Sequence, residues 1–255
     1  MVRNARAASY EAGPEPVIAI GNLYPSGHVH PPHQHRRAQL LHSTTGTMIV
    51  GSEHGAWVVP PLCAVWIPGG VRHDIRMVGD VNTHSVYIEP DALPEMSDRC
   101  RVVGMTPLLR SLLVTAIDLP LAYNADARTQ HVMALILQEI AALAELPLSV
   151  PFPADPRLAE KCRRFLAEPT AHGTIDDWAS ALHMSRRSFT RLFRRQTGLS
   201  LSAWRQQACL VAALPRLLDG ESVTSVALDL DYTPASFTDM FTRLLGASPR
   251  DYVKT

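Results

Sequence analysis

The 255-residue chain carries 24 Lys/Arg against 24 Asp/Glu, a formal net charge of zero, with 46% hydrophobic and 6% aromatic residues. That balance excludes a global field drawing the chain to nucleic acid or a membrane surface, so any such attraction must be local. No run approaches the ~20 apolar residues of a membrane span.

The start, MVRNARAASYEAG, lacks the apolar core of a signal peptide. Cys63, Cys100, Cys162 and Cys209 follow neither zinc-ribbon nor redox spacing, and the expectation is buried thiols in a reducing cytoplasm. From Val17 to about Pro90 the chain reads as short strands: VIAIGNLY, QLLHSTTG, TMIV, AWVVP, AVWIP, HDIRMV and HSVYIE are rich in β-branched and aromatic residues. Gly46 in STTGTM reads as a hairpin turn, while Pro60-Pro61 and Pro68-Gly69-Gly70 break the later strands. Strands at this spacing predict a small barrel or jelly roll.

The chemistry of this half lies in its histidines. Gly27, His33, His35, Gln39 and Gly46 follow the spacing of the first cupin motif, with Gln39 where that motif has Glu. Pro68, Gly70 and His73 follow the second, with Met77 in place of Asn. The segment resembles a cupin, a double-stranded β-helix whose pocket takes metals or small molecules. His33 and His35, two apart on a strand, would share a face, and His73 would arrive from a second strand. Three imidazoles with Gln39 beside them suit one divalent transition metal ion: zinc, nickel, copper or iron. The competing reading makes these histidines polar lining, or surface residues after Pro31-Pro32; His28, His30 and His42 show how plentiful histidine is here.

Thr106-Pro107 opens a helix with an apolar stripe of Leu108, Leu109, Leu112, Leu113, Ala116 and Ile117. A second stripe runs through Val132, Leu135, Ile136, Ile140 and Leu143. Both stripes would cover the barrel or pair with the same helix of another subunit, and dimerisation is the preferred expectation. PLSVPFPADP reads as a domain linker. The expected organisation is 1–92 sensing domain, 93–150 helical dimerisation region and 155–255 DNA-binding domain.

Asp155-Pro156 caps a helix burying Leu158, Cys162, Phe165 and Leu166. Thr174-x-x-Asp177 is a capping box opening TIDDWASAL, and His183-Met184 turns the chain. In SRRSFTRLFRRQTG, Ser185 caps a helix start and Gly198 closes it. Phe189, Leu192 and Phe193 recur on its apolar side; Arg186, Arg187, Thr190, Arg191, Arg194 and Arg195 occupy the other. Short helix, tight turn and basic helix make a helix-turn-helix, whose second helix suits a major groove. A solvated arginine face is the blander alternative. DNA binding is favoured because no acidic residue occurs between Asp177 and Asp219, and 155–255 holds 14 Lys/Arg against 11 Asp/Glu. A long helical pattern, SLSAWRQQACLVAALPRLLDG, follows to Gly220, with Pro215 favouring a kink. SVTSVALDL, a turn and TPASFTDMFTRLLG make a second such pair, burying Phe237, Met240, Phe241, Leu244 and Leu245, before the tail GASPRDY.

Two helix-turn-helices joined by a long helix, with FTRLFRRQTGLSLSAWR in the first and SFTDMFTRLLGASPRDY in the second, resemble the AraC/XylS regulator signature over Asp155–Tyr252. The cupin segment in front matches that family's architecture. QLLHSTTGTMIV and WVVPPLCAVWIPGGVRHDI resemble a subgroup regulating neighbouring drug-efflux transporters. The fold this resemblance implies is α+β multidomain: a cupin β-barrel, a helical linker and an all-α domain with two helix-turn-helix motifs. It places Arg187, Thr190 and Arg191 on base edges, Arg186 and Arg195 on phosphates, and Ser236 and Asp239 on the equivalent face of the second motif. Two departures stand out: Asp231 replaces the usual Gly, and the turn from Tyr232 to Phe237 is about one residue short. The implied function is a cytoplasmic DNA-binding transcription regulator, homodimeric, responding to a small-molecule effector, with double-stranded DNA and RNA polymerase as partners and no membrane. The rivals are a metal-dependent cupin enzyme with an accessory domain, and a regulator whose cupin is only a dimerisation scaffold.

Overall fold

The computed structural model describes residues 13–61, 63–96, 98–123 and 126–254. Residues 1–12, most of the segment tested above as a signal peptide, lie outside them. The chain divides into two units. One holds 1–52 and 57–146, the other 53–56 and 147–255.

The first unit is a sheet with two helices. Its strands are β1 (Val17–Tyr24), β2 (Val29–His33), β3 (Ala38–Ser52), β4 (Gly55–Val59), β5 (Cys63–Ile67), β6 (His73–Ile88), β7 (Arg101–Gly104) and β8 (Glu145–Leu146). The order is β1-β6-β3-β5-β7-β8, with β2 on β6 and β4 on β3. This path is open-ended and does not close into the barrel expected from sequence. The expected strands QLLHSTTG and TMIV are one strand, β3, and HDIRMV and HSVYIE are likewise one, β6. Gly46 is therefore not a hairpin turn. It sits inside β3 where the register against β6 shifts, with φ +65°, and a Cβ there would stand 2.7 Å from the Asp80 carbonyl oxygen. A bulge that bends a long strand uses the same glycine chemistry as a turn, which is why the two are confused in sequence.

Alternation along β3 separates two faces. Ala38 and Leu40 pack with Val86 and Ile88 of β6 against α1 (Pro107–Ala116) and α2 (Ala127–Ala141). Leu109 and Leu113 of α1 and Met133, Ile136 and Ile140 of α2 complete that core. Most of each apolar stripe thus covers the sheet, while Leu108 and Leu135 stay exposed, and Thr106 caps α1 through the Leu109 amide. A guanidinium is buried in the same unit: Arg37 bonds the carbonyls of Glu15 and Gly13 at 2.7 Å and pairs with Glu89 at 2.9 Å.

The second unit is helical. The segment read as a domain linker opens this unit: β9 (Ser149–Pro151) accepts a bond from Trp204 Nε1 at 2.7 Å on the Pro151 carbonyl, with Leu148 and Val150 buried. Then come α3 (Pro156–Ala167), α4 (Ile175–Ala181), α5 (Arg186–Thr197), α6 (Leu201–Leu218), α7 (Val223–Asp229), α8 (Pro234–Leu245) and α9 (Pro249–Lys254), the last within the segment read as a tail. Trp178, Phe193 and Trp204 meet with ring centroids 5.9–6.2 Å apart, and Phe165 adds to them. Aromatic rings meeting edge to face or tilted add favourable contacts beyond the area they bury.

Candidate DNA-binding face and histidine cluster

The cap chemistry read from sequence is present. Thr174 and Asp177 form a reciprocal capping box on α4. Ser185 accepts from the Ser188 amide at the start of α5, and Gly198 ends that helix at φ +75°. Between α4 and α5 His183 takes φ +54°, and the Met184 amide donates back to the Ala179 carbonyl at 2.9 Å. This closure turns α5 so that Phe189 and Phe193 enter the core. Arg186, Arg187, Thr190, Arg191, Arg194 and Arg195 are left exposed on one face. Arg186 lies 3.4 Å from Asp176, an exposed pair that solvent screens. The Thr190 hydroxyl donates to the Arg186 carbonyl at 2.8 Å, turning its hydrogen toward the helix.

The pair α7–α8 repeats this geometry. Asp231 takes φ +59°, the Tyr232 amide donates to the Ala227 carbonyl at 2.9 Å, Thr233 caps α8, and Gly246 ends it at φ +78°. Three residues separate Asp229 from Thr233 and three separate Ala181 from Ser185, so Phe237 falls where Phe189 does. Within this chain the second turn is no shorter than the first. The exposed faces differ: Arg187, Arg191 and Arg195 correspond to Ala235, Asp239 and Arg243. Ser236 is exposed, but its hydroxyl sits 2.8 Å from the Thr233 hydroxyl and donates to the Thr233 carbonyl, so it serves the cap. Arg243 reaches Gln206 Oε1 at 3.1 Å. A further tie was missed in sequence: Arg216 of α6 joins Glu221 and Asp229, holding α7 to α6 and pushing the Glu221 carboxyl down.

In the first unit the structure brings His33, His35 and His73 together, with one ring nitrogen of each within 4.8 Å of the others. Of the first motif's two histidines, only His33 is on a strand; β2 ends there and His35 lies in the following loop. The Pro68-Gly69-Gly70 turn holds that loop: the Gly70 amide donates to the His35 carbonyl at 2.8 Å, and a Cβ on Gly69 would collide with the Arg36 carbonyl. Each imidazole bonds a backbone carbonyl through Nδ1: His33 to Pro31 at 2.9 Å, His35 to Arg37 at 2.6 Å, His73 to Val71 at 2.9 Å. A carbonyl only accepts, so Nδ1 carries the hydrogen and Nε2 the lone pair. His73 Nε2 is buried with no partner among the described residues. Burial holds the His73 imidazole down at about 4; the Val71 bond opposes this and His33, His35 and His30 add to it. His35 Nε2 is 3.0 Å from Gln39 Oε1, and Gln39 Nε2 is 3.1 Å from the hydroxyls of Ser85 and Tyr87. Turned end for end, the Gln39 amide donates to His35 and accepts from both hydroxyls, satisfying every group.

Comparison with known proteins decides the family. An AraC-like ligand binding domain model matches residues 15–183, and a helix-turn-helix domain model matches 178–255. The chain is 33% identical over 224 residues to the HTH-type transcriptional regulator NimR of Escherichia coli (strain K12), covering 88% of this chain and 82% of that protein. The chain belongs to the AraC family. It is a DNA-binding transcription regulator with a ligand-binding domain, and that sets aside the enzyme alternative. Among solved structures, unsaturated fatty acid-bound ToxT of Vibrio cholerae aligns at 8% identity and TM-score 0.38, over 93% of this chain and 94% of that one. A DNA-binding transcriptional dual regulator of Escherichia coli K-12 aligns at 23% identity and TM-score 0.34, over 36% and 85%. Among the described residues of this AraC-family protein no helix is long and apolar enough to cross a membrane.

Proposed function

We propose that this AraC-family regulator reads DNA through two helix-turn-helix motifs, α4–α5 and α7–α8, of which α5 carries the base contacts. Arg187 and Arg191, with Thr190 between them, reach base edges, while Arg186 and Arg195 hold phosphates. Asp239 opposes phosphate and Ser236 is spent on its cap, so α8 binds through shape and backbone. The exposed arginine face of α5 is the observation that favours this reading. The protein acts in the cytoplasm as a homodimer, with RNA polymerase as a further partner. Exposed Leu108 on α1 and Leu135 on α2 supply apolar area for a second copy. The regulated gene is a neighbouring transporter.

The first unit is a cupin-type sensor in which His33, His35 and His73 hold one divalent zinc, nickel, copper or iron ion. The donor set fits: metal-bound histidines commonly fix their other nitrogen on a carbonyl, as all three do here, and the His73 Nε2 lone pair lacks any other partner. The ion would supply a coordination position for the effector. His35 must exchange Gln39 for the ion, and Gln39 brings no negative charge, so binding is weaker than where a carboxylate stands at that position. Elemental analysis of untagged protein dialysed against each metal tests this. The expected result is one equivalent, lost in His73→Ala; metal-free wild type after dialysis leaves the histidines as pocket lining.

A further inference from the structure

Away from the histidine cluster, the first unit gathers buried polar groups that lack partners. A cavity of about 340 Å3 lies between β3 and α1, lined by His42, Thr44, Pro107, Arg110, Ser111 and Val114 among others. It is on the helix side of the sheet, since His42 continues the face of Ala38 and Leu40, whereas Gln39 faces the histidine cluster on the other side. His42 is 1% exposed, and its Nδ1 donates to the Cys63 carbonyl at 2.8 Å, leaving Nε2 as an acceptor. That Nε2 has no partner among the described residues. The same holds for Ser43 Oγ, Arg110 Nε and Nδ1 of His84, which is directly opposite His42 on β6. Arg110 forms no ion pair among the described residues. Burial first, opposed by the Cys63 bond and helped by His84 and Arg110, holds the His42 imidazole down at about 4. At neutral pH the wall therefore presents an uncharged ring acceptor beside a guanidinium. Leaving buried polar groups unpaired is unfavourable, and three on residues lining one cavity, His42, Ser43 and Arg110, mark a place completed by something other than the chain.

We propose that the α1–β3 cavity binds a small organic acid that also carries an N–H or O–H donor. Its carboxylate meets Arg110, its donor meets His42 Nε2, and its apolar frame lies against Pro107 and Val114. The volume is at the small end of ligand pockets and suits a single-ring molecule. This rests on the reading of the first unit as the effector-sensing part of the regulator, and it adds a second ligand site on the face of the sheet opposite the histidine cluster.

The test is calorimetric titration of the full chain with 3-hydroxybenzoate as probe. Benzoate, which lacks the donor, and 3-hydroxybenzyl alcohol, which lacks the charge, are the controls. Saturable binding of 3-hydroxybenzoate is expected, about tenfold or more tighter than either control, because hydrogen bonds to charged groups are the strong ones. Arg110→Gln should lose a similar factor, Arg110→Lys should keep part of the affinity, and EDTA should change nothing. A thermal melt of Arg110→Gln checks that the variant is folded. No saturable heat up to millimolar 3-hydroxybenzoate, as when an ordered water alone satisfies His42, overturns the site; so does unchanged affinity in Arg110→Gln. Operator binding measured on the same protein reports the regulator reading separately, so intact DNA binding without acid binding rejects the cavity alone.

Discussion

Three exposed arginines one helical turn apart, Arg187, Arg191 and Arg195, carry the proposed contacts of α5 with a duplex. Guanidinium groups bond guanine in the major groove bidentately, whereas phosphate contacts carry no sequence information. Arg187→Ala and Arg191→Ala are each expected to cost ~1–3 kcal/mol of operator affinity and to relax the preference at one position. Arg195→Ala should weaken all sequences alike and reduce the salt slope by about one. Fluorescence anisotropy across a salt series with operator and scrambled duplexes separates these outcomes; unchanged operator affinity in both of the first two variants would dismiss α5 as the reader. His42 governs a different property. Its folded pKa, about 4, lies below the unfolded value, so between the two the unfolded chain binds more protons. Stability from this imidazole is complete above the unfolded value of ~6.5 and is lost as pH falls towards 4, worth roughly 3 kcal/mol at most. The burial-driven lowering at His84 acts in the same direction. Urea unfolding followed from neutral pH down to about pH 4 should show the first unit weakening through that window.

At the scale of elements, the helix pairs α4–α5 and α7–α8 share one turn geometry with different exposed surfaces. Both turns place a non-glycine residue in the left-handed region, His183 at φ +54° and Asp231 at φ +59°. A side chain there carries a steric cost that glycine avoids. Asp231→Gly is therefore expected to raise unfolding stability by about 0.5–1 kcal/mol without moving α8, since the added chain entropy of glycine offsets part of the relief. A lower thermal midpoint in that variant would show that the Asp231 side chain contributes more than its backbone costs. Pro215 shows the converse. It lies in the last turn of α6, and the helix runs on through it to Leu218, so the kink expected from sequence does not end the element. Its carbonyl still accepts from the Asp219 amide at 3.0 Å.

For the molecule as a whole, α6 sets the span of the DNA-binding unit. Its 18 residues extend roughly 27 Å at ~1.5 Å per residue. That suits two recognition helices, α5 before it and α8 after it, set near one duplex turn, ~34 Å, apart. Each subunit is expected to protect two adjacent major-groove segments on one face of the DNA, more strongly under α5 than under α8. A hydroxyl-radical footprint confined to one segment per subunit would show that α7–α8 does not dock.

Much of this protein was determined by local chemistry, which a sequence carries in the open. Thr174 with Asp177, Ser185, Thr106 and Asp155 end up as caps, because a hydroxyl or carboxylate before a helical stripe has orphan amides two or three residues ahead. The bulk of the apolar positions of α5 and α8 is legible for the same reason, since a period near 3.6 admits one buried face. The histidine cluster was half legible: His33, His35 and His73 do converge, but by a loop pinned under Gly69 and Gly70 rather than by strand alternation. Long-range pairing was beyond reach. Only the register of β3 on β6 fuses four expected strands into two and makes Gly46 a bulge, and only packing turns the α1 and α2 stripes onto the sheet. Arg37 with Glu15, Gly13 and Glu89, and His42 opposite His84 with Arg110 nearby, join residues far apart in the chain. No periodicity records such partners; burial brings them together, and the low dielectric around them then sets their protonation and their need for hydrogen bonds.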